Sequence, residues 1–206
     1  MQADETAAAI PLFSSLMDTT DDLPARLAAD LDGAFEALVR AEQDLVFGIA
    51  LRSTRDPGAA EELAQDVFVR AYRALVTYDA ERIGALRLRA WLARITLNLC
   101  RNRARARRAA PTEVSIEAIA EPTDPALRPE PAALAREAAA DWGRRLAALP
   151  QRYRIAVELR HVHGLSYDEI ATALDRPVNT TKTHVHRGVA LLRTAYTLET
   201  ALETAP

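Results

Sequence analysis

The residues of this chain best suited to chemistry lie in one run near its C-terminal end, Asn179-Thr180-Thr181-Lys182-Thr183-His184-Val185-His186-Arg187. The run holds hydroxyls, an amide, two imidazoles and two fixed cations, and no acid. Placed on a helix at about 100° per residue, Thr181, Val185, Gly188, Val189 and Leu192 gather on one side and must pack. Thr183 and Arg187 then point nearly opposite, with Asn179, Thr180 and His186 beside them and Lys182 and His184 on the two flanks. Outward donors with cations at their edges suit a DNA groove, where donors meet base edges and cations meet phosphates. Arg187 fits a bidentate contact to guanine, and the Thr183 hydroxyl or methyl could meet several bases.

Other chemistries find less support. His161 and His163, like His184 and His186, are two apart and leave a helix on different faces. Cys100 is the only cysteine and sits elsewhere, while zinc needs several convergent ligands. No metal site is expected. Nothing spaces a nucleophile with a base and an orienting group, and no glycine-rich phosphate loop occurs. The expectation is no enzyme, no cofactor and no small-molecule substrate.

A second basic block lies upstream. Arg87, Arg89, Arg94, Arg101, Arg103, Arg105, Arg107 and Arg108 fall in one stretch without an acid, and a stretch rich in Glu and Asp follows it. The formal net charge of −3 therefore hides strong segregation, as expected of a polyanion site on a chain kept soluble by acids.

These residues need helices to hold them. Hydrophobic residues make up 49% of the chain but aromatics only 5%, so cores must be built from Leu, Ala, Val and Ile. No alternating β-branched run appears, and the expected fold is all-α. Phe35, Leu38, Leu45 and Ile49 outline a helix over 31–52. Asp56-Pro57 signals the next start, after which Leu63, Val67, Ala71 and Leu75 form one stripe and Glu62, Gln65, Asp66 and Arg73 face away. Trp91, Leu92, Ile95 and Leu99 give a helix over 88–108 its buried side, with Arg94, Asn98, Arg101 and Arg105 outward.

Pro111, Pro122, Pro125, Pro129 and Pro131 then break the pattern and mark an extended linker. Leu134, Ala138, Trp142, Leu146 and Leu149 outline a further helix ending at Pro150, followed by one over 152–163 that Gly164 stops. Ser166 and Glu169 fit a capping box. Ile170, Ala171 and Leu174 face inward, Asp175-Arg176-Pro177 ends that helix, and Asn179 or Thr180 can cap the next. The result is a helix-turn-helix. The predicted organisation is thus an extension over 1–30, flexible or one loose helix, a helical domain over 31–108, a proline-rich linker over 109–131, a helix-turn-helix domain over 132–197 and a tail over 198–206.

A lone cysteine allows no intramolecular disulfide, in keeping with a reducing compartment. The apolar patch AAAIPLFSSLM follows acids rather than cations, contains Pro11 and is too short to span a bilayer. A soluble cytoplasmic protein without membrane insertion is expected.

Three stretches, EELAQDVFVRAYRALVTYD (61–79), RAWLARITLNLCRNRARARR (89–108) and LPQRYRIAVELRHVHGLSYDEIATAL (149–174), together resemble the bacterial extracytoplasmic-function (ECF) sigma factors. These two-domain subunits direct core RNA polymerase to promoters, and the resemblance runs over roughly 31–196. It implies an alternative sigma factor that starts transcription, commonly in a stress response. It also implies that Glu61, Glu62, Gln65, Asp66 and Phe68 dock on the β′ clamp coiled coil, with Ala59 where the family has an acid, and that a second polymerase contact is made at the β flap. By the same resemblance Arg89, Trp91, Arg94, Asn98, Arg101 and Arg105 serve the −10 element. There 79–89 is a loop receiving a flipped base, Asn98 or nearby backbone hydrogen-bonds it, and Arg94, Arg101 and Arg105 hold phosphates. Trp91 is either a core anchor or a stacking wedge.

Asn179, Thr180, Lys182, Thr183, His184, His186 and Arg187 would face the −35 element. Asn179, Thr183 and His184 stand where the family commonly has Gly, Ser and Arg, and the charge of His184 is not fixed at neutral pH. An anti-sigma factor is an expected partner beside polymerase and promoter DNA. A stand-alone helix-turn-helix regulator, or a helical enzyme or scaffold with merely solvated arginines, are the other classes the residues allow.

Overall fold

Side-chain caps start four of the described helices. In the computed structural model, which describes residues 22–109 and 141–203, Asp30 accepts a hydrogen bond from Gly33 N–H, Asp56 from Gly58 N–H and Asp79 from Arg82 N–H. Each cap satisfies a backbone donor that the first helical turn leaves without a partner. The elements so begun are α2 (Leu31–Thr54), α3 (Pro57–Leu75) and α4 (Ala80–Gly84), preceded by α1 (Leu23–Ala29) and followed by α5 (Leu88–Ala109). The expectations for residues 1–21, for the proline-rich linker and for the start of the helix after it lie outside the described residues.

The first unit is built on an aliphatic core. Leu38, Val46, Leu63, Val67, Leu75, Leu92, Leu99 and Cys100 meet in it, with Phe35, Phe68, Trp91 and Ile95 packed around them. Two expectations change here. Leu23 and Leu27 are 2% and 1% exposed and belong to this core, so the packed unit begins at α1 rather than at residue 31. A seven-residue helix offers only one i, i+4 leucine pair, too little to show a period. The segment 79–89 is not an open loop either: Asp79 caps a helical turn, and Ile83 and Leu88 pin it to the core.

The second unit comprises helical residues 141–148 (α6), α7 (Gln151–His161), α8 (Tyr167–Leu174) and α9 (Val178–Glu203). Leu146, Leu149, Val157 and Leu192 form a core cluster there, with Val189 against it. Gly164 takes a left-handed φ of 71° before the Ser166–Glu169 capping box, whose two reciprocal bonds measure 2.7 and 3.2 Å. Asp175, also left-handed at φ 55°, makes the corner to α9.

Asn179 and Thr180 do not cap α9. They lie in its first turn, because the Pro177 carbonyl already accepts the Thr181 N–H at 3.0 Å. Trp142, expected in the buried stripe, is 39% exposed. Among the described residues there is no strand, no helix long and apolar enough to cross a membrane, and no group of three metal-ligating side chains.

Candidate nucleic-acid interface

α9 is fixed by what its inner side buries. Thr181, Val185 and Leu192 are buried, and Gly188 lets α7 approach so closely that a Cβ there would stand 2.5 Å from Val157 Cγ2. That phase sends Asn179, Lys182, Thr183, His186 and Arg187 to the exposed side and leaves Thr180 and His184 half-buried. The layout matches the sequence expectation except at Thr180, expected on the outward side. Thr183 Oγ1 donates to the Asn179 carbonyl at 2.9 Å, which leaves its lone pairs and methyl to face outward.

Neighbouring helices line both flanks of this face. The His184 ring meets Tyr153 of α7 edge-on at 5.5 Å. Burial, with Arg176, Arg152 and Arg187 nearby, holds its pKa below the ordinary histidine value. The guanidiniums of Arg152 and then Arg187 hold the Tyr153 hydroxyl below the usual phenol range. On the other flank His186 stacks on Tyr167 of α8, and Lys182 Nζ lies 5.8 Å from that ring. Sequence reasoning passed over both tyrosines, since neither lies near α9 along the chain.

α5 carries the second basic surface. Arg94, Asn98, Arg101 and Arg105 are exposed, and Arg101 Nε also donates back to the Leu97 carbonyl at 3.2 Å. Two residues grouped with them are turned inward. Arg89 Nε sits 3.4 Å from the buried carboxylate of Glu42. Trp91 is half-buried against the core, 6.3 Å from the Tyr78 ring. Arg82, at 3.6 Å over that same ring, is a cation the sequence reading did not single out.

On α3, Glu61, Glu62, Gln65 and Asp66 are exposed, whereas Phe68 packs partly against the core. Glu62 pairs with Arg103 of α5 at 2.9 Å. The exposed side also includes Val69, Tyr72 and Val76. Their three- and four-residue spacing repeats on the side away from Leu63 and Val67, a legible signal that the buried stripe drew attention from. The Tyr72 hydroxyl donates to Asp32 at 2.6 Å, which raises its pKa.

Residues 38–110 match the family described as Sigma-70 region 2, and residues 140–192 match Sigma-70, region 4. The RNA polymerase sigma-H factor of Pseudomonas aeruginosa is 35% identical over 161 residues, covering 75% of this chain and 81% of that one. The ECF RNA polymerase sigma factor SigE of Mycolicibacterium smegmatis is 32% identical over 199 residues, 95% of this chain and 71% of that protein. This chain belongs to the ECF sigma factor family. As such it is an alternative sigma factor that directs promoter-specific transcription initiation.

The fold agrees. CnrH, solved in complex with the cytosolic domain of CnrY, superposes with a TM-score of 0.62 at 24% identity, covering 86% of the sigma factor and 97% of CnrH. RpoE of Bartonella quintana, solved with the anti-sigma factor NepR, gives 0.54 at 20% identity over 80% and 95% of the two chains. The sigma factor's basic α5 surface falls within its region 2 match, and the outer face of α9 within its region 4 match up to residue 192.

Proposed function

We propose a division of labour between the two units. α9 reads the −35 duplex, with Arg187 and Thr183 at base edges and Lys182, His184 and His186 toward phosphates. Asn179 and Thr180 begin the same contact. α5 holds the −10 strand through Arg94, Asn98, Arg101 and Arg105, beside the turn Ala80–Gly84 where a flipped base would lodge. Arg89 and Trp91 support this surface from within, one through Glu42 and the other through the core. The exposed face of α3, with Glu61, Glu62, Gln65 and Asp66, docks on the β′ clamp coiled coil. Phe68 stiffens that helix, and the second unit meets the β flap.

The sigma factor acts in the cytoplasm, catalyses nothing itself and is withheld by an anti-sigma factor, as NepR partners RpoE of Bartonella quintana. The observation that carries this reading is the acid-free outer face of α9, backed by buried Thr181, Val185 and Leu192. Base-reading side chains need such a fixed platform. Run-off transcription with purified core polymerase tests it: transcripts starting at discrete promoters should depend on the added chain. Tight duplex binding without polymerase, and no such dependence, would instead favour a stand-alone regulator.

A further inference from the structure

Two tyrosines outside α9 lie against three of the ionisable side chains of its first three turns. The Tyr167 ring, at the start of α8, stacks on His186 with centroids 6.4 Å apart and an interplanar angle of 23°. It also lies 5.8 Å from Lys182 Nζ. Tyr167 is itself held: Arg160 sits over its ring at 4.9 Å while donating to the Leu165 carbonyl at 2.9 Å. On the other flank the buried Tyr153 ring meets His184 edge-on at 5.5 Å and carries the Arg152 guanidinium at 4.6 Å. At 100° per residue Lys182 and His186 leave α9 toward α8, and His184 and Arg187 leave it toward α7.

Long cationic side chains lose rotamer freedom when they bind. A ring that already narrows that freedom moves part of the cost from binding to folding. Tyrosine suits the task because it has few torsions of its own and a face that attracts cations. We propose that Tyr167 is a positioning residue for −35 recognition, holding the phosphate-contacting pair Lys182 and His186. This rests on the assignment of α9 to the −35 duplex.

The full chain bound to core RNA polymerase provides the test. Duplexes are selected from a randomised pool, and the selected duplex and a scrambled one of equal length are titrated by fluorescence anisotropy over a range of salt concentrations. Tyr167→Leu should weaken both duplexes alike, about fivefold, and flatten the salt dependence by up to about one phosphate contact per freed side chain. Tyr167→Phe, which keeps the ring, should bind like the parent.

In a Lys182→Ala/His186→Ala background, Tyr167→Leu should cost nothing further. A folding defect would persist there, so this arm separates positioning from support. Tyr167→Met replaces the Leu variant if that variant loses helical signal. An unchanged salt slope, or a loss that persists in the double-alanine background, would overturn the proposal. If the parent complex selects no sequence, the −35 assignment falls and takes the proposal with it.

Discussion

His184 has the least freedom to carry charge of the ionisable groups on α9. Half-buried against Tyr153 and facing Arg176, Arg152 and Arg187, it keeps a pKa below the ordinary value. The sign follows from linkage: a histidine depressed in the folded state takes up protons more readily when unfolded. Its stabilising contribution is therefore whole above the unfolded pKa, about 6.5, and is lost as pH falls through the lower folded value. Chemical unfolding between neutral and mildly acidic pH should show a steeper loss for the parent chain than for His184→Asn.

Arg187 and Lys182 divide differently. Arg187→Ala should relax selectivity at one −35 base pair by about 1–3 kcal/mol, while Lys182→Ala weakens binding evenly across sequences. Anisotropy titrations on single-base variants of the selected duplex distinguish them, and equal losses from both would refute the division. The outward direction of these residues was legible from 3.6-residue periodicity alone. Their tyrosine neighbours were not, because ring contacts between separate helices leave no local pattern.

Helices in this sigma factor are marked by their ends more clearly than by their sides. Asp56-Pro57 and the Ser166–Glu169 box could be read directly, since a cap is a local event. Cases decided by tertiary packing could not. α1 is recognisable only from its neighbours, and Arg89 reads as one more surface arginine until Glu42 appears beneath it. Removing that cation leaves a buried carboxylate with less compensation, and Arg89→Met should destabilise the first unit by about 2 kcal/mol. Urea unfolding would measure this, and Glu42→Gln in the same chain should recover part of the loss.

A glycine pair makes the same point for α9. A Cβ at Gly188 would meet Val157 Cγ2 at 2.5 Å and the Tyr153 Cβ and carbonyl oxygen at 3.4 Å, whereas one at Gly143 meets nothing within 4 Å. Gly188→Ala should therefore destabilise by about 1–3 kcal/mol through overpacking. Gly143→Ala, on an open helical position, should stabilise by about 0.5–1 kcal/mol. Opposite signs for one chemical change, read by denaturant midpoints, would show that the approach of α7 and α9 sets the tolerance.

On the scale of the whole molecule, a promoter-reading protein with net charge −3 needs help to hold DNA. The acid-free stretch with eight arginines ends where an acid-rich stretch begins, so attraction to phosphates is local and opposed by charge elsewhere on the same chain. The three resembling motifs together made the two-unit plan legible, because each holds a helix start or stripe that the fold requires. The composition alone did not. The charge balance leads to a quantitative expectation for the free sigma factor. Its duplex binding should come almost wholly from a few phosphate contacts, and several such contacts lose orders of magnitude in affinity between about 50 and 200 mM salt. With core polymerase bound, the partner is expected to supply the sequence-independent grip, and selectivity for the promoter should survive the same change. A salt titration of the free chain and of the complex on one labelled promoter duplex separates the two contributions. Tight, salt-resistant binding by the free chain would mean that its affinity does not come from polymerase, against the charge distribution in its sequence.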